Sequence, residues 1–111
     1  MKKDEPRDLF PGALEMMILR TLRREVLHGY AIARSIRENS DDLLRVEEGS
    51  LYPALQRMLK AQWIEGEWTL SDQNRKVRRY RLTPAGRKQL EREISKFERM
   101  FSGIHKVMRT T

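Results

Sequence analysis

The most regular hydrophobic pattern in the chain starts at Gly49 and continues to Lys60. Its apolar residues recur at i, i+4, i+7 and i+8 and share one helical face: Leu51, Leu55, Met58 and Leu59. Ser50 is predicted to cap this helix, and Pro53 then falls in the first turn, where N–H groups have no intrahelical partner. The other side chains are left to face solvent: Tyr52, Gln56, Arg57 and Lys60. The pattern predicts an amphipathic helix whose polar face is free to bind another molecule.

Two helices are predicted before it, at about residues 13–24 and 30–39. The first has an apolar stripe at helical spacing: Leu14, Met17, Ile18, Thr21 and Leu22. Met16 and Leu19 project off that stripe, so a second surface needs covering. Another chain, a ligand or deep burial within one domain would each cover it. A turn at residues 39–42 and a short strand at 43–46 are expected next.

A β-hairpin is predicted after the central helix. Residues 63–70 begin apolar and then alternate, residues 71–74 are turn-forming, and residues 75–83 return as a strand. Five cationic residues lie on the tip and second arm: Arg75, Lys76, Arg78, Arg79 and Arg81. The hairpin is therefore expected to be strongly basic.

A long helix is predicted from Pro84 to about Arg109, with Thr83 as its cap. Its apolar residues follow heptad spacing: Leu90, Ile94, Phe97, Phe101, Ile104 and Met108. A helix of this length extends past a small domain, so the seam is expected to pair with a second copy of the chain. The alternative is a helix folded back on its own domain.

Helix, helix, short strand, helix and hairpin is the order of a winged helix-turn-helix. We therefore predict a mainly α (α+β) fold, with a winged helix-turn-helix domain at 9–83 and a C-terminal dimerisation helix at 84–111. Residues 1–8 are expected to form an arm. In this class a helix enters the major groove of DNA and side elements contact the backbone.

Composition supports an anionic partner. The 111 residues suffice for one domain, the net charge is +7 and the pI is about 10.1. This balance favours nucleic acid, although a basic solubilising surface has the same signature. With no cysteine, disulfides, thiol catalysis and zinc fingers are excluded. No membrane-spanning run or signal peptide is recognisable, so a cytoplasmic protein is expected.

The sequence offers little to a catalytic mechanism. His28 and His105 are far apart and lack metal-ligand spacing, and no glycine-rich phosphate loop is present. We therefore expect no enzyme activity, no metal and no cofactor.

The helix and hairpin supply groups that suit DNA. Cations of the hairpin can contact phosphates, while Arg57 and Lys60 can contact a phosphate or a guanine edge. Gln56 can read adenine, and Tyr52 can contact a phosphate or a thymine methyl. Taken singly, these positions also fit ordinary solvated charge, or partial burial in the case of Tyr52.

Several motifs resemble the PadR family of bacterial transcriptional regulators: His28-Gly29-Tyr30, Gly49-Ser50-Leu51-Tyr52-Pro53-Ala54-Leu55, Arg57, Trp63-Ile64 and Tyr80-Arg81-Leu82-Thr83-Pro84-Ala85-Gly86. The resemblance covers about residues 9–90 and fits the short-chain branch with a single C-terminal helix. It implies a homodimeric winged-helix repressor on an inverted-repeat operator. The C-terminal helix would pair with its mate and with the first helix of the other subunit, which gives Met16 and Leu19 a use.

The candidate residues follow from these patterns and the resemblance together. The DNA-binding set is Tyr30, Ser50, Tyr52, Gln56, Arg57, Lys60, Arg75, Lys76 and Arg78. The dimerisation set is Met16, Leu19, Leu90, Ile94, Phe97, Phe101, Ile104 and Met108.

The chain departs from the family pattern at several positions. Leu59 stands where the family usually has an acidic residue. Gln62 stands where it usually has glycine, so Gln62 is expected to adopt a left-handed conformation. Some members bind planar or phenolic effectors with a tryptophan of the C-terminal helix, which this chain lacks. An aromatic effector could instead use Phe97, Met100 and Phe101, although plain dimer packing also explains them. A winged-helix adaptor for protein partners is a further alternative.

Overall fold

The computed structural model describes residues 12–110. The predicted arm and residues 9–11 of the predicted domain lie outside this range, as does residue 111. The elements in chain order are α1 (Ala13–Arg24), β1 (Leu27–His28), α2 (Gly29–Asn39), α3 (Glu48–Lys60), β2 (Ile64–Leu70), β3 (Lys76–Leu82) and α4 (Pro84–Met108). The helix-rich α+β fold and the long last helix are as predicted. No helix in this range is long and apolar enough to cross a membrane.

The core lies where the apolar faces of α1, α2 and α3 meet the base of the hairpin. Its largest fully buried side chains come from five elements: Ile18, Leu19, Ile32, Leu51, Leu55, Met58, Ile64 and Leu90. These residues hold α3 in place through one face, which leaves its opposite face to solvent.

The third strand of the sheet is not where the sequence indicated. The antiparallel sheet has the order β1-β3-β2, with Leu27 opposite Tyr80. The predicted strand at 43–46 is wrong, because the chain before it is held in a turn. The backbone N–H of Leu44 donates to the Ser40 hydroxyl at 3.0 Å, and that of Leu43 donates to the Ser40 carbonyl at 3.0 Å.

α3 begins three residues earlier than its predicted Ser50 cap implies. Glu47 occupies the N-cap position and no side chain caps the helix. The backbone N–H groups of Ser50 and Leu51 both donate to the Glu47 carbonyl, so Ser50 already lies in the first turn and is not the cap. Pro53 consequently lies in the second turn.

α3 ends in a Schellman motif. The N–H of Trp63 donates to the Met58 carbonyl and that of Gln62 to the Leu59 carbonyl, both at 3.0 Å. Gln62 has φ 65°, which confirms the left-handed conformation expected there. This turn sends the chain directly into β2.

α4 starts at a hydrogen-bonded cap. Thr83 accepts from the N–H of Gly86 at 3.0 Å, as predicted, and its hydroxyl donates to the Gln62 carbonyl at 2.7 Å. A Cβ at Gly86 would lie 2.1 Å from the Trp63 carbonyl oxygen, so only glycine allows this approach. The first turns of α4 thus pack on the winged domain, and the boundary at 83/84 stays a prediction.

Candidate nucleic-acid interface

The starts of α2 and α3 meet beside the base of the hairpin. A Cβ at Gly29 would lie 2.9 Å from the Tyr52 hydroxyl oxygen, so glycine lets the Tyr52 ring rest on α2. Burial raises the pKa of Tyr80, while the nearby Arg78 lowers it and Tyr52 raises it. Tyr80 of β3 therefore lies near Tyr52 of α3 as well as near Arg78. Two helix starts and the hairpin therefore border one surface.

The solvent face of α3 presents polar side chains of the predicted DNA-binding set. Gln56 and Lys60 are exposed and one helical turn apart, and Tyr52 is 40% exposed. A Cβ at Gly49 would have nothing within 4 Å, so the backbone is open on this face. Ser50 is half-buried at its edge. The centre of the face could therefore enter a groove without obstruction.

Arg57 lies at the edge of the same face and forms an ion pair within the chain. Its guanidinium nitrogen lies 2.6 Å from a carboxylate oxygen of Glu15 on α1. Glu15 is largely buried, with a side chain 20% exposed, whereas Arg57 remains 61% exposed. This ion pair links the exposed face of α3 to α1.

The hairpin separates its charges between its two faces. On the outer face Arg81 pairs with Glu67 at 2.9 Å and lies 4.0 Å from Glu65. On the opposite face Lys76 and Arg78 flank the exposed ring of Trp68. Arg75 is exposed in the connecting turn.

The start of α2 carries the predicted Tyr30 and brings it beside Arg34, His28 and Arg79, which were not in the predicted DNA-binding set. Tyr30 is 70% exposed, and the guanidinium of Arg34 lies 5.3 Å from its ring centroid. Both residues line a groove of about 690 Å³, together with His28, Arg79 and the tip of the hairpin. Helical spacing from Tyr30 to Arg34 could have indicated this partner.

The predicted dimer residues fall into two groups. Leu19 and Leu90 are 0% and 1% exposed in the single chain, so the structure corrects their assignment: they belong to the core and offer no surface to a partner. Ile94 packs partly against that core as well. The later seam is open, with exposed Phe101, Ile104 and Met108 at 52%, 40% and 74%.

α1 and α4 enclose an apolar groove of about 220 Å³ that includes Met16, Phe97 and Met100. Phe101 does not line this groove and stacks on Phe97 and His105 instead, with ring centroids 5.8 Å apart in each pair. The structure thus brings together two of the three predicted effector residues and adds Met16. Residues 12–110 contain no cluster of side chains that could hold a metal ion.

A three-helix unit with a short third strand and a β2–β3 hairpin defines a winged-helix protein. The model of the transcriptional regulator PadR-like family matches residues 18–92, and the chain belongs to this family. Family membership makes it a transcriptional regulator and not an enzyme.

Solved structures agree with this assignment. A transcriptional regulator from Clostridium thermocellum is 28% identical with a TM-score of 0.82, over 89% of this chain and 96% of that one. A PadR-like transcriptional regulator from Bacillus cereus is 28% identical with a TM-score of 0.75, over 91% and 96%. Bacillus subtilis PadR in complex with operator DNA is 24% identical with a TM-score of 0.67, over 74% of this chain and 46% of that one, and shows the shared fold.

Proposed function

We propose that the chain is a cytoplasmic, sequence-specific DNA-binding repressor that acts as a homodimer on an inverted-repeat operator. The observation that carries this proposal is the common surface formed by the starts of α2 and α3 and the basic hairpin. Gln56 and Lys60 would meet base edges, whereas Tyr30, Lys76 and Arg78 would contact the DNA backbone.

An inverted repeat from the promoter region of the protein's own gene tests this recognition by gel shift. Gln56→Ala should weaken binding to the repeat about tenfold or more and relax preference at one base pair per half-site, since a bidentate base contact is worth about 1–3 kcal/mol. Lys88→Ala, on the exposed side of α4, is the control and should bind as wild type. Equal binding to repeats with altered half-sites would contradict operator recognition.

The exposed half of the α4 seam supports the homodimer. If two copies paired there, their two α3 helices could enter successive major grooves about 34 Å apart. Phe101→Asp should give a monomer by light scattering, because it buries a charge in the paired seam. Ser95→Asp, at an exposed position on the face of α4 turned away from the seam, should remain a dimer. A dimeric Phe101→Asp protein would place the interface elsewhere.

Repression would follow from an operator that overlaps the promoter. Adding the protein to transcription from its own promoter in vitro should then lower the transcript yield. An increased yield would indicate an activator.

The α1–α4 groove favours a second role, in which an aromatic effector adjusts DNA binding. Small aromatic compounds that bind in this groove should then raise the melting temperature of the protein in thermal-shift measurements. Met100→Ala should reduce this shift, whereas a shift unchanged by Met100→Ala would exclude this groove as the site.

A further inference from the structure

Trp68 lies on the hairpin face that continues outward from the core. Ile64 and Tyr80 are buried at the inner end of this face, at 2% and 3% exposure. Farther along, Trp68 and Leu70 are each 61% exposed. Large apolar side chains of a small hairpin are thus left without cover in the single chain.

Two cations flank the exposed indole. The ammonium of Lys76 lies 5.9 Å and the guanidinium carbon of Arg78 lies 5.5 Å from the Trp68 ring centroid. Arg78 stands directly opposite Trp68 in the β2–β3 ladder. A cation over an aromatic ring at such distances is attracted to the ring electrons, so the indole favours defined positions for both charges.

The site of Arg78 is shaped by a glycine. A Cβ at Gly66 would lie 2.5 Å from the Arg78 Nε, so the side chain crosses the strand only because residue 66 lacks one. That Nε is buried and has no hydrogen-bond partner in the described part of the chain. Packing against Gly66 and Trp68 fixes the stem of Arg78.

The charges on this face are not neutralised by the hairpin itself. The carboxylates of β2, Glu65 and Glu67, pair with Arg81 on the other face. Within residues 12–110, neither Lys76 nor Arg78 forms an ion pair. The face therefore presents an exposed indole beside two cations that no carboxylate of the described residues neutralises.

We propose that Trp68 is a DNA-contacting and positioning residue of the hairpin. Its ring packs against deoxyribose along the edge of a duplex groove, and it holds Lys76 and Arg78 in position to contact neighbouring phosphates. Charge complementarity selects a polyanion, and the exposed indole selects one that alternates charge with apolar sugar surface, which duplex DNA does. The inference rests on the proposed DNA-binding function and adds a residue to it.

The chain has two tryptophans, so Trp63→Phe leaves Trp68 as the sole reporter. Mixed-sequence duplex DNA should change the emission of this protein, and polyglutamate at equal charge should not, because it offers no sugar surface. If Trp63→Phe folds poorly, wild type and Trp68→Phe are compared, and the DNA-induced change should be lost in Trp68→Phe. Binding without any emission change at Trp68 would overturn the proposal.

Affinity measurements separate contact from hairpin stability. Trp68→Ala should weaken binding to all duplexes about tenfold and reduce the salt slope by up to about 1.8, since two phosphate contacts lose their support. Trp68→Phe should keep most of both. Lys88→Ala, on the exposed side of α4, is the control and should keep the wild-type affinity and salt slope. An unchanged salt slope in a folded Trp68→Ala protein would overturn the positioning role.

Operator binding and the role of Trp68 can be tested separately. If wild type binds duplex DNA no better than it binds polyglutamate, the proposed function falls and the inference falls with it. If wild type binds DNA and Gln56→Ala relaxes its preference, but Trp68 variants behave as wild type, only the inference falls.

Discussion

Arg57 has two candidate partners, the carboxylate of Glu15 and a phosphate of bound DNA. In the structure the first partner holds it at 2.6 Å. The sequence indicated the cationic, exposed position of Arg57 from helical spacing alone. It could not indicate Glu15, because a pair 42 residues apart depends on how α1 packs against α3. The ion pair makes the charge of Arg57 partly unavailable to DNA.

Glu15→Gln should release Arg57 toward the DNA backbone. We expect severalfold tighter binding to any duplex at low salt and a salt slope steeper by about 0.9, the value of one added phosphate contact. Stability should fall by no more than about 1 kcal/mol, because most of the Arg57 side chain is in solvent. Binding isotherms at several salt concentrations measure both effects.

Glu91→Gln is the matched control for that change. It removes the same charge from an exposed position on α4 and releases no arginine. Equal slopes for the two variants would mean that the Glu15–Arg57 pair does not limit DNA binding.

At the scale of elements, the boundary between α3 and β2 combines a helix end with a residue in an unfavourable conformation. Gln62 has φ 65° and is exposed, and the Schellman hydrogen bonds require that geometry. For an L-residue the left-handed conformation costs about 1–2 kcal/mol. The sequence already indicated this feature, because the departure from glycine falls at a helix end.

Gln62→Gly should therefore stabilise the protein. After the greater entropy of glycine in the unfolded chain is subtracted, we expect a gain of about 0.5–1 kcal/mol in the free energy of unfolding. Urea unfolding measures this gain. Gln62→Ala retains a Cβ and should give no such gain, so equal stabilisation by both variants would exclude backbone strain as the cause.

Local chemistry explains which elements were predicted well. α1 was predicted at residues 13–24, as observed, and α4 begins at its predicted Thr83 cap, because periodicity and capping are local signals. The strand at 43–46 and the Ser50 cap were both wrong. The third strand needs the free edge of β3, which exists only in the folded sheet. α3 starts after Glu47 without a side-chain cap, so no capping residue in the sequence marks its start.

In the complete fold, the apolar seam of α4 is buried in the core at its start and exposed to solvent farther along. Leu90 closes the core, Ile94 packs beside it, and Phe101 onward is open. The heptad spacing could not reveal this division, since an unbroken seam has the same sequence pattern on both sides of a domain boundary. A test of dimerisation therefore belongs at Phe101, whereas a charge at Ile94 would also disturb the domain that holds it.

Global stability should decrease under alkaline conditions because of one core residue. Tyr80 is 3% exposed, and burial raises its pKa above the ordinary value of 10.0. As pH rises through about 10, the unfolded chain loses this proton first, so it binds fewer protons than the folded chain and unfolding becomes more favourable. The contribution of Tyr80 is fully present below pH 10 and is lost as pH passes its raised folded pKa.

Tyr80→Phe should reduce this loss, as measured by urea midpoints between pH 8 and pH 11. Tyr30→Phe, which removes a hydroxyl from an exposed ring, is the control. The same alkaline loss in wild type and Tyr80→Phe would assign it to other groups.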